Sequence, residues 1–118
     1  MHIAPTHYTF IETTIFTKRL LADASAEVLE MIQRDLVENP VRGAVVKGLH
    51  GARKARVAAP ATQRGKSGGL RYLYLFLPAR DLIYLLFLFR KNEQDNLSPE
   101  QTKILAKLVE AIKNRHEK

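Results

Sequence analysis

The apolar stretch from Leu70 to Phe89 constrains the fold of this chain more than any other segment. It is dense in leucine, tyrosine and phenylalanine, but the run Pro78–Asp81 interrupts it. The two remaining pieces are too short to cross a bilayer as helices, which takes about 20 apolar residues. The stretch therefore predicts two strands, Leu70–Leu77 and Leu82–Phe89, joined by a tight turn.

Side chains alternate between the two faces of a sheet, and in neither strand do apolar residues alternate with polar ones. Apolar residues therefore occupy both faces of these two strands. This pattern is typical of central strands that are covered on both sides. The helices that the rest of the sequence predicts can cover one face of these strands fully and the other face only in part. We therefore expect a partner protein to cover the remainder.

Two helices are predicted before residue 41. A strand at Tyr8–Glu12 leads into a short helix that Thr13 or Thr14 can cap. In the second helix, apolar residues recur at every fourth position, at Val28, Ile32 and Leu36. Asn39-Pro40 ends this helix, because the residue before a proline avoids the helical region.

Beyond Pro40 the pattern changes to short strands. We expect strands at Gly43–Leu49 and Ala52–Ala58, followed by a loop at Pro60–Gly69 that is rich in glycine and cations. Consecutive strands with short loops favour antiparallel pairing. The predicted fold class is α+β, with a small antiparallel sheet, two N-terminal helices and one C-terminal helix, and residues 1–118 form one domain.

The last helix has several start signals together. Ser98 is the predicted cap, Pro99 occupies the first helical position and Gln101 completes a capping box. The tail from Asn114 onward is polar and is expected to fray.

Positive charge is concentrated in the middle of the chain. The segment Arg42–Lys91 contains eleven basic residues and one acidic residue, Asp81. Residues 1–41 contain three basic and six acidic residues, residues 92–118 contain five of each, and the net charge is +7. This distribution predicts a polyanionic partner, and charge that serves solubility alone is the alternative.

Several classes of function are excluded or disfavoured. The chain has no cysteine, which excludes disulfides and thiolate catalysis and suits a reducing cytoplasm. Residues 1–10 lack the regions of a signal peptide, so we expect no export and no membrane association. Neither a histidine pair with metal-ligand spacing nor a nucleotide-binding glycine motif is present, so we expect no metal and no cofactor.

Cations carried by strands are the strongest candidates for an anion site. Lys54 and Arg56 share one face of their predicted strand, whereas Arg53 points to the other. Two adjacent cations on one face must meet solvent or an anion. The predicted hairpin brings Arg71, at the start of one strand, to the same end of the sheet as Arg90-Lys91. A solvated rim of charge is the alternative.

Such a cleft can cleave RNA without an acid–base histidine. The 2′-hydroxyl is an internal nucleophile, so a protein needs to align it, neutralise charge and assist proton transfer. Arginines can stabilise the pentacoordinate phosphate by several kcal/mol, on the order of the figures for oxyanion holes.

Four blocks of this sequence resemble the HigB branch of the RelE-type toxins. They are Phe10–Phe16, Gly51–Val57, Arg64–Arg71 and Phe89–Glu93. Together with the closing helix they cover nearly the whole chain, and the last two blocks are the most specific. The resemblance implies a small α+β fold and ribosome-dependent cleavage of mRNA in the A site, in the cytoplasm. It also implies a HigA-like antitoxin encoded alongside and operator DNA binding through the toxin–antitoxin complex.

The resemblance also implies roles for particular residues. By position, Lys54 and Arg56 match the basic strand pair, Arg71 matches the arginine that holds the scissile phosphate, and Lys91 matches the cation that ends the last strand. RelE has an arginine at the position of Asn92 and a tyrosine further on, and this chain has neither. The predicted catalytic residues are Lys54, Arg56, Arg71, Lys91 and Glu93. The other residues expected to contact RNA are Arg53, Arg64, Lys66, Arg90 and Asn92.

Two questions stay open at this point. Lys91, Glu93 and His50 are all candidates for the proton acceptor. A non-catalytic nucleic-acid-binding module and a RelE-fold toxin with another target, such as gyrase, are the alternatives to an mRNA endoribonuclease.

Overall fold

A computed structural model describes residues 8–57, 69–90 and 97–116. The described elements are β1 (Thr9–Glu12), α1 (Thr14–Asp23), α2 (Ala26–Glu38), β2 (Ala44–Val45), β3 (Arg53–Val57), β4 (Leu70–Leu77), β5 (Leu82–Arg90) and α3 (Pro99–His116). A single 3₁₀ turn at Pro78–Arg80 joins β4 to β5.

The five strands form one sheet in the order β1-β5-β4-β3-β2. The predicted α+β fold class is confirmed, and β2 to β5 pair antiparallel as expected. The strand β1, in contrast, lies parallel to β5. Antiparallel pairing is favoured for consecutive strands joined by short loops. It is not favoured for this pair, because both N-terminal helices and three strands separate β1 from β5 along the chain.

The β4–β5 hairpin has the predicted position. Leu70 pairs with Arg90 at one end and Leu77 with Leu82 at the other. Asp81 closes the turn in the left-handed region, with φ of 54°. The register shifts between Leu73 and Tyr74, so the two strands are offset by one residue, as in a β-bulge.

Two apolar cores lie on opposite faces of the sheet. On the first face, α1 and α2 pack on strand residues that include Leu70, Tyr72 and Tyr74. On the second face, α3 packs through Leu105, Val109 and Ile112. All seven residues from 83 to 89 of β5 are buried. The expectation that a partner must cover part of these strands is therefore wrong, because the chain's own helices bury both faces.

The strand β2 is shorter than predicted and spans only Ala44–Val45. The turn that follows it explains the difference. Gly48, His50 and Gly51 all have positive φ angles, which no extended strand can contain. The amide of Val46 donates to the carbonyl oxygen of Ala52 at 2.9 Å and closes this turn.

The helix α3 begins as predicted and ends later than predicted. The side chains of Ser98 and Gln101 each accept a hydrogen bond from the other's amide at 3.1 Å, which confirms the capping box. The helix continues to His116, whose ring bonds the Tyr84 hydroxyl at 2.8 Å and whose carbonyl oxygen accepts from Arg80 at 2.9 Å. These contacts hold the polar last turn that was expected to fray. No helix in the described ranges is long and apolar enough to span a bilayer.

We expect Ser98→Ala to lower the free energy of unfolding by about 1 kcal/mol, because it removes the side-chain cap of α3. Ser25→Ala is the matched control, since Ser25 precedes α2 without a side-chain capping bond. Urea denaturation of both variants measures the difference. Equal losses for the two serines would contradict the role assigned to the Ser98 hydroxyl.

Candidate functional site

Three of the predicted cations lie together on the face of the sheet that α3 covers. Arg56 on β3 is directly opposite Arg71 on β4, and Lys54 is opposite Leu73. Residues paired in this way have Cβ atoms about 4.5–5.5 Å apart, and like charges at that spacing repel. Arg56 is exposed, while Lys54 and Arg71 are half-buried. The strands β3, β4 and β5 contain no acidic residue.

These cations line a cavity of about 330 Å³ that we call the arginine cleft. Its lining residues are Arg42, Lys54, Ala55, Arg56 and Arg71. The structure therefore adds Arg42 to the predicted site residues. Arg42 follows Pro40 in a loop, where no periodic pattern indicates which residues it will approach. Only the tertiary fold brings it to the two basic strands.

Tyr74 fixes the loop that carries Arg42. Its hydroxyl donates to the carbonyl oxygen of Pro40 at 2.8 Å and accepts from the amide of Gly43 at 3.0 Å. The Arg53 guanidinium donates to the carbonyl oxygen of Gly43 at 2.7 Å. Gly43 runs so close to β3 that an added Cβ would lie 2.7 Å from the backbone oxygen of Lys54. The loop is thus held against β3 beside the arginine cleft.

The two buried tyrosines of β4 are poor proton acceptors. Burial raises the pKa of Tyr72 well above its ordinary value, and the nearby Tyr74 adds to this. Burial also raises the pKa of Tyr74, against the opposing effects of the Gly43 hydrogen bond and of Arg53 and Arg42. Both hydroxyls stay neutral at physiological pH, and both side chains pack in the core that faces α1 and α2.

Tyr74→Phe is expected to lower the free energy of unfolding by about 1–3 kcal/mol, because the Pro40 carbonyl and the Gly43 amide lose their partner. Tyr72→Phe provides the matched control on the same strand face. Within the described residues the Tyr72 hydroxyl is buried without a hydrogen-bond partner, so its removal costs nothing. Denaturant unfolding distinguishes the two variants. If Tyr72→Phe lowers the free energy of unfolding as much as Tyr74→Phe does, the hydrogen bonds of Tyr74 to the Pro40–Gly43 loop do not have the role assigned to them.

The other two described candidates point to the opposite face of the sheet. Arg53 pairs with Tyr74, and Arg90 pairs with Leu70, both of which belong to the core under α1 and α2. Arg90 thus reaches the same end of the sheet as Arg71 but from the other side. Arg53 supports the loop through its bonds to backbone carbonyls. Their contacts with RNA stay predictions.

Five predicted site residues lie outside the described ranges, namely Arg64, Lys66, Lys91, Asn92 and Glu93. His50 is described and exposed, on the turn that precedes β3. Its carbonyl oxygen accepts from the Lys113 ammonium at 2.9 Å. His50 is therefore next to the start of β3, whereas Arg56 lies near the end of that strand. Within the described part of the chain, no three histidine, aspartate or glutamate side chains are grouped as metal ligands would be.

A second cavity of about 310 Å³ adjoins the arginine cleft, and we call it the Phe89 pocket. Its lining residues are Val46, Lys47, Lys54, Leu73, Phe89, Leu97 and Thr102. Leu97 and Thr102 place it under the first turn of α3. Lys54 lines both cavities.

Comparison with solved structures identifies the architecture. The free E. coli toxin RelE, as a double mutant, superposes with a TM-score of 0.54 over 75% of this chain and 87% of that chain, at 14% identity. The chain has the fold of the RelE toxins. The RelBE2 toxin–antitoxin complex of Mycobacterium tuberculosis matches with a TM-score of 0.53 over 70% of this chain and 90% of that chain, at 24% identity.

The intact E. coli RelBE complex matches with a TM-score of 0.54 over 71% of this chain and 96% of that chain, at 15% identity. No protein-family model matches the sequence. The agreement is therefore one of backbone architecture.

Proposed function

We propose that this chain is the toxin of a type II toxin–antitoxin system, of the HigB kind, and that it cleaves mRNA in the ribosomal A site. The observation that carries the proposal is the Arg56–Arg71 pair, with Lys54 beside it, on one face of a RelE-like sheet. Two opposed guanidiniums on strands without acidic residues form a site for a phosphodiester. Planar guanidinium forks match phosphate oxygens better than ammonium groups do.

The reaction needs no group beyond RNA and side chains. The 2′-oxygen of the substrate attacks the adjacent phosphorus, and the bond from phosphorus to the 5′-oxygen of the next nucleotide breaks. The products are a 2′,3′-cyclic phosphate and a 5′-hydroxyl. Arg56 and Arg71 stabilise the extra negative charge of the pentacoordinate phosphate, because two guanidiniums on neighbouring strands can donate to the same phosphate.

Two protons must move in this reaction. One leaves the 2′-hydroxyl and one reaches the departing 5′-oxygen. His50 is next to the start of β3, away from the arginine pair, so we propose Lys91 or Glu93, which follow β5 in sequence, as the acceptor. Lys54 lies beside the arginines and can donate the second proton.

We also propose a HigA-like antitoxin as the partner of this chain in the cytoplasm. The segment Arg42–Lys91 carries eleven cations, and an acidic antitoxin would neutralise them while the toxin is idle. Two of the compared structures are toxin–antitoxin complexes. Operator DNA binding would then belong to the complex, in which the antitoxin masks the basic cleft.

Primer extension on a translated mRNA tests the proposal directly. Purified protein is added to a reconstituted translation system and, separately, to the same mRNA without ribosomes. We expect cuts within translated codons only when ribosomes are present. Binding without cuts would favour the non-catalytic module, and loss of DNA supercoiling activity without cuts would favour gyrase as the target. Expression of this chain alone should arrest growth, and co-expression of an antitoxin encoded beside it should restore growth.

A further inference from the structure

We infer that Arg42 exchanges partners: it pairs with Asp35 while the arginine cleft is empty, and it binds the phosphate next to the scissile one when RNA enters. This inference rests on the proposed function for the identity of the bound polymer. It goes beyond that function because Arg42 matches none of the RelE positions that the sequence resembles and takes part in no catalytic step.

The backbone on both sides of Arg42 is fixed. The Tyr74 hydroxyl donates to the carbonyl oxygen of Pro40 and accepts from the amide of Gly43. One buried side chain thus holds the loop before and after Arg42. The amide of Arg42 also donates to the carbonyl oxygen of Asn39 at 3.2 Å. The fold therefore determines where the Arg42 side chain begins, whichever anion its guanidinium meets.

The guanidinium of Arg42, in contrast, is held weakly. Its Nη1 lies 3.4 Å from the backbone oxygen of Asp35 and 3.8 Å from a carboxylate oxygen of the same residue. Both contacts are longer than ordinary hydrogen bonds, and both use one nitrogen instead of the two-nitrogen fork that arginine forms with carboxylates and phosphates. The two side chains are 35% and 30% exposed, and exposed ion pairs contribute little to stability. A phosphate can therefore displace Asp35 at small cost.

Arg42 lies on the outer side of the proposed phosphate site. The register of β2 with β3 pairs Ala44 with Lys54. Two residues further along the same register, Arg42 is level with Arg56. Neighbouring strands are about 4.8 Å apart, so the Arg42 backbone is about one strand spacing from Arg56 and about two from Arg71. Because Arg56 and Arg71 share the scissile phosphate in the proposed function, Arg42 meets the neighbouring phosphate of the same RNA.

The charges around Arg42 account for both of its partners. The lining of the arginine cleft contains four cations, Arg42 among them, and no carboxylate. Like charges repel, so in the empty cleft the other three cations favour the pairing of Arg42 with Asp35 on α2. RNA carries one negative charge for each phosphate, and its entry reverses this balance. Asp35 therefore competes with RNA for Arg42.

The salt dependence of RNA binding tests the role of Arg42. The probe is a short single-stranded RNA with 2′-O-methyl groups, which cannot be cut because the attacking oxygen is blocked. We expect Arg42→Met to lower the slope of log affinity against log salt by about 0.7 units, because one phosphate contact is lost. Arg34→Met is the matched control, since Arg34 is exposed on α2 and is not part of the cleft lining. An unchanged slope for Arg42→Met, or an equal loss in both variants, would overturn the inference.

Asp35→Asn tests the exchange itself, because it removes the carboxylate charge and keeps the size of the side chain and the backbone oxygen. We expect the affinity for the same RNA to rise about two- to fivefold, the range that competition from an exposed ion pair allows. This gain should vanish when Arg42→Met is also present. Glu30→Gln, exposed on the same helix, has the same change of charge and should produce a smaller gain that does not depend on Arg42. A loss of affinity in Asp35→Asn, or an equal gain with and without Arg42, would contradict the exchange.

Cleavage assays separate this inference from the proposed function. A protein that cuts translated mRNA but binds the 2′-O-methyl RNA equally well with and without Arg42 would reject the exchange and leave the endoribonuclease intact. A loss of slope confined to Arg42→Met, in a protein that never cuts mRNA, would support the exchange and reject the endoribonuclease.

Discussion

Replacing Arg71 with alanine is expected to reduce mRNA cleavage by about two to three orders of magnitude, which is the typical cost of losing one fixed donor to a developing anion. Arg71 stands directly between Arg56 on β3 and Phe89 on β5, so under the proposed function its guanidinium and that of Arg56 bind the same phosphate. The strand pairing is made by the backbone and persists without this side chain. The substitution also removes the repulsion between two opposed arginines. We therefore expect a folded protein that has lost its activity.

Arg34→Ala is the matched control for this experiment. Arg34 is an exposed arginine on α2, on the other side of the sheet from the arginine cleft. Cleavage is measured by primer extension in a translation system, and folding by circular dichroism and thermal unfolding. An Arg71→Ala protein that unfolds, or that arrests growth as strongly as the wild type, would contradict the assigned role.

The parts of the fold that depend on neighbouring residues could be predicted from the sequence. The capping box of α3 involves residues three positions apart, and the β4–β5 hairpin is bounded by its own turn residues. The side-chain alternation of β3 separated Lys54 and Arg56 from Arg53, and the observed register places them so. In each case the physical cause lies within a few residues of the element that it determines.

The features that were missed depend on contacts between distant residues. The parallel pairing of β1 joins Phe10 to Ile83, and no local pattern specifies such a partner. Arg42 reaches the cleft because Tyr74, 31 positions from Gly43, bonds the loop. The last turn of α3 is ordered because Tyr84 bonds a histidine 32 positions away. The position of Arg90 is different, because a local pattern determines it: side-chain alternation places Arg90 on the face opposite Arg71, although both lie at one end of the sheet.

The double substitution of Lys54 and Arg56 by alanine is expected to weaken ribosome binding and to make it less sensitive to salt. Each phosphate contact releases counterions when it forms, so each lost contact lowers the slope of log affinity against log salt by about 0.7–0.9 units. Neither side chain has a hydrogen bond or ion pair within the described residues, so both are available to phosphates. The double variant should therefore lose about one to two units of slope.

Lys18→Ala combined with Arg34→Ala provides a control with the same change in net charge. Lys18 on α1 and Arg34 on α2 are exposed, and these helices pack on the face opposite the arginine cleft. If binding follows only the overall charge of +7, both double variants will lose the same slope. If phosphates bind between β3 and β4, only the Lys54 and Arg56 variant will lose it, because counterions are released where the contacts form. An unchanged slope in that variant would mean that both side chains face solvent in the ribosome complex.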